Sequence, residues 1–122
     1  MRALIVDDSG VTRKILAQFL QGMNYEVFEA TDGKQALDQL EQTPDIDIAM
    51  VDWSMPVMNG IDFVRSVRNR GLNGLKLMMV TMEQDVDQIQ EALQAGADEF
   101  LMKPFTYEGL QEKLALVVGE GK

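Results

Sequence analysis

Five short apolar runs divide the sequence, and each is followed by a longer segment whose apolar residues recur at helical spacing. Ala3–Val6 reads as a first strand, and Val11, Ile15, Leu16, Phe19 and Leu20 supply the stripe of a first helix that ends near Gly22. Tyr25–Phe28 is a second strand. Thr31-Asp32-Gly33 then opens a second helix, which carries Leu37 and Leu40 and stops at Thr43-Pro44. Asp47–Val51 is a third strand, followed by a loop and a helix with Ile61, Val64 and Val67. A Gly71-Leu-Asn-Gly74 turn leads to a fourth strand, Leu75–Val80, and to a helix with Val86, Ile89, Ala92 and Leu93 before Gly96. Glu99–Met102 is the fifth strand, and Leu110, Leu114 and Val117 mark a last helix up to Gly119.

Five such strand–helix units call for a parallel sheet with helices on both faces. Right-handed crossovers leave few topologies, although periodicity does not choose among the strand orders. What the pattern does locate is the polar residues. Asp7-Asp8, Asp52, Thr81 and Lys103 each fall at the carboxyl end of a strand. The crevice outside those ends is where open α/β sheets bind ligands, so four strands aim chemistry at one edge.

Composition narrows that chemistry. The 122 residues suit one domain, and no apolar stretch approaches the roughly 18 residues of a membrane span. The run before Asp7 is too short for a secretory signal, so the cytoplasm is the expected compartment. A net charge of −9 argues against unaided binding to nucleic acid or an anionic membrane. The chain has no Cys and no His, which excludes disulfides, thiolate chemistry, imidazole bases and a Ser-His-Asp triad. A metal here must be held mainly by oxygen, which points to Mg²⁺, Mn²⁺ or Ca²⁺.

If the first and third strands are neighbours, about 4.8 Å apart, then Asp7, Asp8 and Asp52 share one small site. Three carboxylates that close need either a raised pKa or a cation, and Lys103 alone does not neutralise them. Mg²⁺ suits the place because it takes a couple of carboxylates and keeps waters. A carboxylate beside Mg²⁺, a lysine and a hydroxyl is also a kit for accepting a phosphoryl group. The Asp is the nucleophile, the cations neutralise the equatorial oxygens, and Thr81 donates a hydrogen bond. Taken singly the parts are ordinary: Asp7-Asp8 a helix-entry cap, Thr81 a turn residue, Lys103-Pro104 a loop. Trp53, Met55, Met58 and most other methionines read as packing, and Glu83-Gln-Asp85 and Asp98-Glu99 as solvated acids. Only their conjunction resists chance.

That conjunction resembles the receiver domain of bacterial two-component response regulators, most closely the stand-alone chemotaxis type. The likeness runs the length of the chain. It rests on Leu4-Ile-Val-Asp7-Asp8-Ser, Val51-Asp52-Trp-Ser-Met-Pro56-Val-Met-Asn-Gly60, Val80-Thr81, Ala95-Gly96-Ala97-Asp98-Glu99-Phe100 and Met102-Lys103-Pro104-Phe105. The resemblance implies a flavodoxin-like, doubly wound five-stranded parallel sheet of order 2-1-3-4-5 with five helices. It makes Asp52 the phosphoacceptor, with Asp8 and Asp52 binding Mg²⁺ directly, Asp7 through a metal-bound water and Ser54 through its backbone carbonyl. Mn²⁺ is expected to substitute. Lys103 pairs with the phosphoryl group, and its bond to Pro104 resembles the family's cis peptide. Thr81 is the switch hydroxyl: drawn to the phosphate, it vacates space into which Phe100 turns. Phe100 stands where the chemotaxis type usually carries Tyr. Met82 follows Thr81 where a small residue is usual, and Ser54, Met82 and Glu83 are the expected modulators of rate.

The expected function is therefore a phosphorylation-controlled signalling switch of chemotaxis type, a single receiver over residues 1–122 without an output domain. It is no conventional enzyme, but catalyses its own phosphorylation from phosphohistidine and its own dephosphorylation. Expected partners are a sensor histidine kinase or phosphotransfer protein, and a target bound on the face of the fourth helix, fifth strand and fifth helix. The protein is expected to be monomeric and to contact neither nucleic acid nor membrane directly. Other stand-alone phosphorelay receivers, and a receiver cut from a longer regulator, share these motifs. A phosphatase or phosphotransferase with an Asp nucleophile usually needs a second acid two residues on, where this chain has Ser54. A flavin- or nucleotide-binding module is disfavoured because the loop Asp7-Asp8-Ser-Gly-Val-Thr is acidic and lacks a glycine-rich phosphate cradle.

Overall fold

The computed structural model describes residues 1–53, 55, 57–82 and 86–118, Val86 by its backbone only. Ten elements alternate without exception: β1 (Arg2–Val6), α1 (Gly10–Gly22), β2 (Glu26–Ala30), α2 (Gly33–Gln42), β3 (Ile48–Asp52), α3 (Gly60–Asn69), β4 (Lys76–Met82), α4 (Val86–Ala95), β5 (Glu99–Lys103) and α5 (Tyr107–Val118). The strands form one parallel sheet in the order β2-β1-β3-β4-β5, the flavodoxin-like order that the resemblance implied.

Side-chain alternation divides the core into two layers. Leu4, Val6, Ala49, Val51, Leu77 and Met79 pack with residues of α2, α3 and α4. Ala3, Ile5, Ile48, Met50, Met78 and Val80 face α1 and α5. Every residue of β3 is buried, which is why that strand reads as a continuous apolar run rather than an alternating one. β2, at the edge, exposes Glu26 and Glu29 instead.

Caps set three helix starts close to the sheet's carboxyl edge. Ser9, Asp32 and Asn59 accept hydrogen bonds from the backbone N–H of Thr12, Gln35 and Asp62. Each such cap is worth about 1 kcal/mol. All strands but β1 run one or two residues further toward that edge than the apolar runs suggest, because the backbone ladder continues past the last apolar side chain. Asp52 pairs with Val80, Thr81 with Met102 and Met82 with Lys103.

Two expectations are corrected. Val11 and Ile15 do not join the buried stripe of α1: Val11 is 72% exposed and Ile15 is exposed too, whereas Leu16, Ala17 and Leu20 are buried. At 100° per residue Val11 lies about 140° round the helix from Leu16, on the solvent side. Nor are Asp98 and Glu99 merely solvated. Asp98 accepts hydrogen bonds from the Arg68 guanidinium and the Leu77 N–H, both at 2.9 Å. Glu99 accepts from the Phe100 N–H at 3.0 Å and from Lys113 at 3.4 Å.

Candidate functional site

The alternation that turns Ile48 and Met50 toward α1 and α5 carries Asp52 the same way, and Lys103 follows Leu101. Asp7 leaves β1 on that side, its N–H still bonded to the Ala30 carbonyl at 3.1 Å. The three side chains therefore meet. Lys103 Nζ donates to Asp52 Oδ1 at 3.3 Å and lies 3.8 Å from Asp7 Oδ2. Asp8, exposed, completes the group, and one oxygen from each of Asp7, Asp8 and Asp52 can be chosen within 4.8 Å of the others.

Burial makes this arrangement electrostatically expensive. Asp7 is 2% and Asp52 8% exposed. Loss of hydration raises the pKa of both above the ordinary 3.8. For Asp52 the neighbouring Asp7 charge adds to the rise, and Lys103 opposes it. For Asp7 the Ser9 N–H, donating to Oδ1 at 2.8 Å, and Lys103 oppose it. Asp7 Oδ2 is buried and accepts no hydrogen bond from any described residue. A buried carboxylate oxygen left this way is a free donor for a cation. The all-oxygen set fits a hard divalent ion.

Thr81, 2% exposed, sits one residue before the end of β4, and alternation puts it with Met79 on the α3–α4 side of the sheet. Phe100, half-buried on β5, packs into that same layer, so the expected switch pair shares one face. Lys113 Nζ stands 4.3 Å from the centroid of the Phe100 ring. Met82 ends β4 at the rim and is 43% exposed. Gly60 is required on the far wall: a Cβ there would lie 2.9 Å from the Asp52 carbonyl. The Lys103–Pro104 bond is cis. Ser54 and Glu83 lie outside the described residues, and with them the expected carbonyl ligand and two of the three expected rate modulators.

Beside Lys103 runs a small groove of about 220 Å³ lined by Thr12, Ile15, Pro104 and Phe105. A larger cavity, about 410 Å³, opens at the opposite end of the sheet between Leu40, Asp45 and Leu72. Its two acids are already engaged, Asp45 with the Arg2 guanidinium and Asp47 with the Arg2 N–H. The convergent carboxylates, not cavity size, locate the site. Sequence reasoning overlooked Arg13, which donates to the Asp7 carbonyl at 2.8 Å. A signal was present: a cation in the first turn of a helix opposes the macrodipole and needs another reason to be there.

Comparison with known proteins agrees with this geometry. The model of the response regulator receiver domain matches residues 3–115. Chemotaxis protein CheY1 of Helicobacter pylori is 38% identical over 121 residues, 98% of each chain. Chemotaxis protein CheY of Pseudomonas aeruginosa is 42% identical over 116 residues, 93% of each. The structure of chemotaxis protein CheY4 of Vibrio cholerae superposes with a TM-score of 0.88 at 36% identity, covering 95% of this chain and 97% of that one. Sheet order, strand-end acids and sequence likeness thus converge: the chain belongs to the response regulator receiver domain family and is a phosphorylation-dependent signalling switch of the chemotaxis type.

Proposed function

We propose that Asp52 is the phosphoacceptor. The observation that carries this is its setting: an acid at the end of a fully buried strand, hydrogen-bonded by Lys103 at 3.3 Å and flanked by Asp7 and Asp8. A carboxylate oxygen of Asp52 forms the new bond to phosphorus, and the phosphorus–nitrogen bond of a donor phosphohistidine breaks with its electron pair left on the imidazole. In the later hydrolysis, water attacks phosphorus and the bond to Asp52 breaks with its electron pair left on the carboxylate. The phosphoryl group leaves as inorganic phosphate, with a proton of the water released to solvent. Lys103 follows the phosphoryl charge, and the Thr81 hydroxyl hydrogen-bonds a phosphoryl oxygen.

Asp8 and Asp52, with Asp7 alongside and the Ser54 carbonyl, would hold Mg²⁺, for which Mn²⁺ can substitute. When bound, the ion neutralises charge on the phosphoryl oxygens. Phosphorylation draws Thr81 toward Asp52 and frees room for Phe100, shifting the population of the α4–β5–α5 face that a downstream target reads. The phosphodonor is a histidine kinase or phosphotransfer protein. This reading also takes residues 1–122 as one receiver domain, monomeric and cytoplasmic; light scattering and cell fractionation test the last two points. Among the described residues, no helix is long and apolar enough to cross a membrane.

Incubation with acetyl phosphate and Mg²⁺ tests the central claim. Wild type is expected to gain one alkali-labile phosphate that peptide mapping places on Asp52, and Asp52→Asn to gain none. Labelling that persists in Asp52→Asn, or that ignores chelation of Mg²⁺, would overturn it.

A further inference from the structure

Asp8 is held by nothing of its own. It is exposed, and among the described residues its carboxylate makes no hydrogen bond and no ion pair. The direction of its Cα–Cβ bond therefore follows from the backbone at Asp7–Asp8. That peptide is planar, so whatever fixes the Asp7 carbonyl also fixes the Asp8 N–H and, through it, the Asp8 Cα.

Arg13 fixes that carbonyl. Its Nη1 donates to the Asp7 oxygen at 2.8 Å, and its Nε donates to Glu29 Oε1 at 3.0 Å. Glu29 stands on β2, opposite Ile5 of β1, so the guanidinium ties the turn after β1 to the neighbouring strand. The Asp7 N–H is tied to the same strand through the Ala30 carbonyl. Although Arg13 is a cation close to Asp7, its described ion pair is with Glu29, not with Asp7, Asp8 or Asp52. Its side chain serves the backbone.

The geometry points to Arg13 as a positioning residue for the metal site, holding the Asp7–Asp8 peptide so that the Asp8 carboxylate faces Asp7 and Asp52. This rests on the reading of these acids as a Mg²⁺ site. The sign of one measurement separates position from charge. Removing a nearby cation lessens repulsion of Mg²⁺, so a purely electrostatic Arg13 predicts tighter binding in Arg13→Met. Loss of a positioning contact predicts weaker binding, by about tenfold on the scale of outer-shell partners of metal ligands.

Mg²⁺ is titrated by calorimetry and by the fluorescence of Trp53, the single tryptophan of the chain and the residue after Asp52. About 0.5 M KCl shortens the Debye length to a few Å and suppresses distant charge effects. Arg13→Met is expected to raise the Mg²⁺ Kd about tenfold and Glu29→Gln about threefold. Arg13→Lys, which keeps the charge and one donor, is expected to fall between wild type and Arg13→Met. Arg68→Ala, which loosens the far end of the sheet, is expected to lower Tm without moving Kd. If Arg13→Met does not fold, Arg13→Lys carries the test, since it keeps the charge and any weakening reports lost positioning. Unchanged or tighter binding in the folded variants overturns the positioning role while the metal site stands. A wild type that binds no Mg²⁺ overturns both.

Discussion

Asp52 concentrates the conflict of this fold at one residue, since an acid 8% exposed beside buried Asp7 is unfavourable until a cation arrives. Asp52→Asn removes a like charge at nearly constant shape. Without divalent cation it is expected to stabilise the protein by about 1 kcal/mol, or roughly 4 °C in Tm for a domain of this size. Thermal melts in chelator check this, and a lower Tm than wild type would contradict it. Met82 poses a different question, one of access. Its side chain is 43% exposed at the end of β4, directly after Thr81 and in register with Lys103. Met82→Ala is expected to speed both phosphorylation by acetyl phosphate and spontaneous dephosphorylation severalfold by clearing the rim. Identical time courses for the two proteins would show that Met82 does not gate the site.

At the scale of elements, the strand ends bearing chemistry were legible because a buried parallel strand leaves an unbroken apolar run, and any acid after it stands out. Asp52, closing the fully buried β3, is such a case, and Lys103 closes β5 after Phe100-Leu101-Met102. The contacts tying one loop to another were not legible, since a long side chain reaches residues far away in sequence without any period. Arg68 shows this. From the last turn of α3 it donates to the carbonyls of Gly96, Leu72 and Leu75 and pairs with Asp98, joining the connections on both sides of β4. Gly96 permits it: at φ 125° it has no Cβ, and a Cβ there would lie 2.7 Å from the Arg68 side chain. Arg68→Ala strands these acceptors and is expected to destabilise by about 2 kcal/mol in urea unfolding. A loss under about 0.5 kcal/mol, the usual effect of a surface change, would show that water replaces the clamp.

The acidic site also sets how the whole molecule responds to pH. Asp7 and Asp52 both titrate above 3.8 in the fold, mainly because burial disfavours their charged forms. As pH rises past 3.8 the unfolded chain releases these protons first, so the native state holds more protons and stability falls with pH. The fall ends once pH exceeds the raised native values, leaving a fixed penalty at neutral pH. The net charge of −9 acts in the same direction, since acid relieves self-repulsion of the compact state. Two variants separate the causes. Asp52→Asn is expected to flatten the pH profile, whereas Glu112→Gln, which removes an exposed charge on α5, should leave its slope intact. Mg²⁺ should act only where the acids are ionised. At about a hundredfold excess over its Kd it is expected to add roughly 2.7 kcal/mol near pH 7.5 and far less below pH 4, where protons occupy the same oxygens. Chemical denaturation across pH, with and without Mg²⁺, reads both curves. Equal stabilisation by Mg²⁺ at the two ends of that range would place the ion somewhere other than Asp7, Asp8 and Asp52.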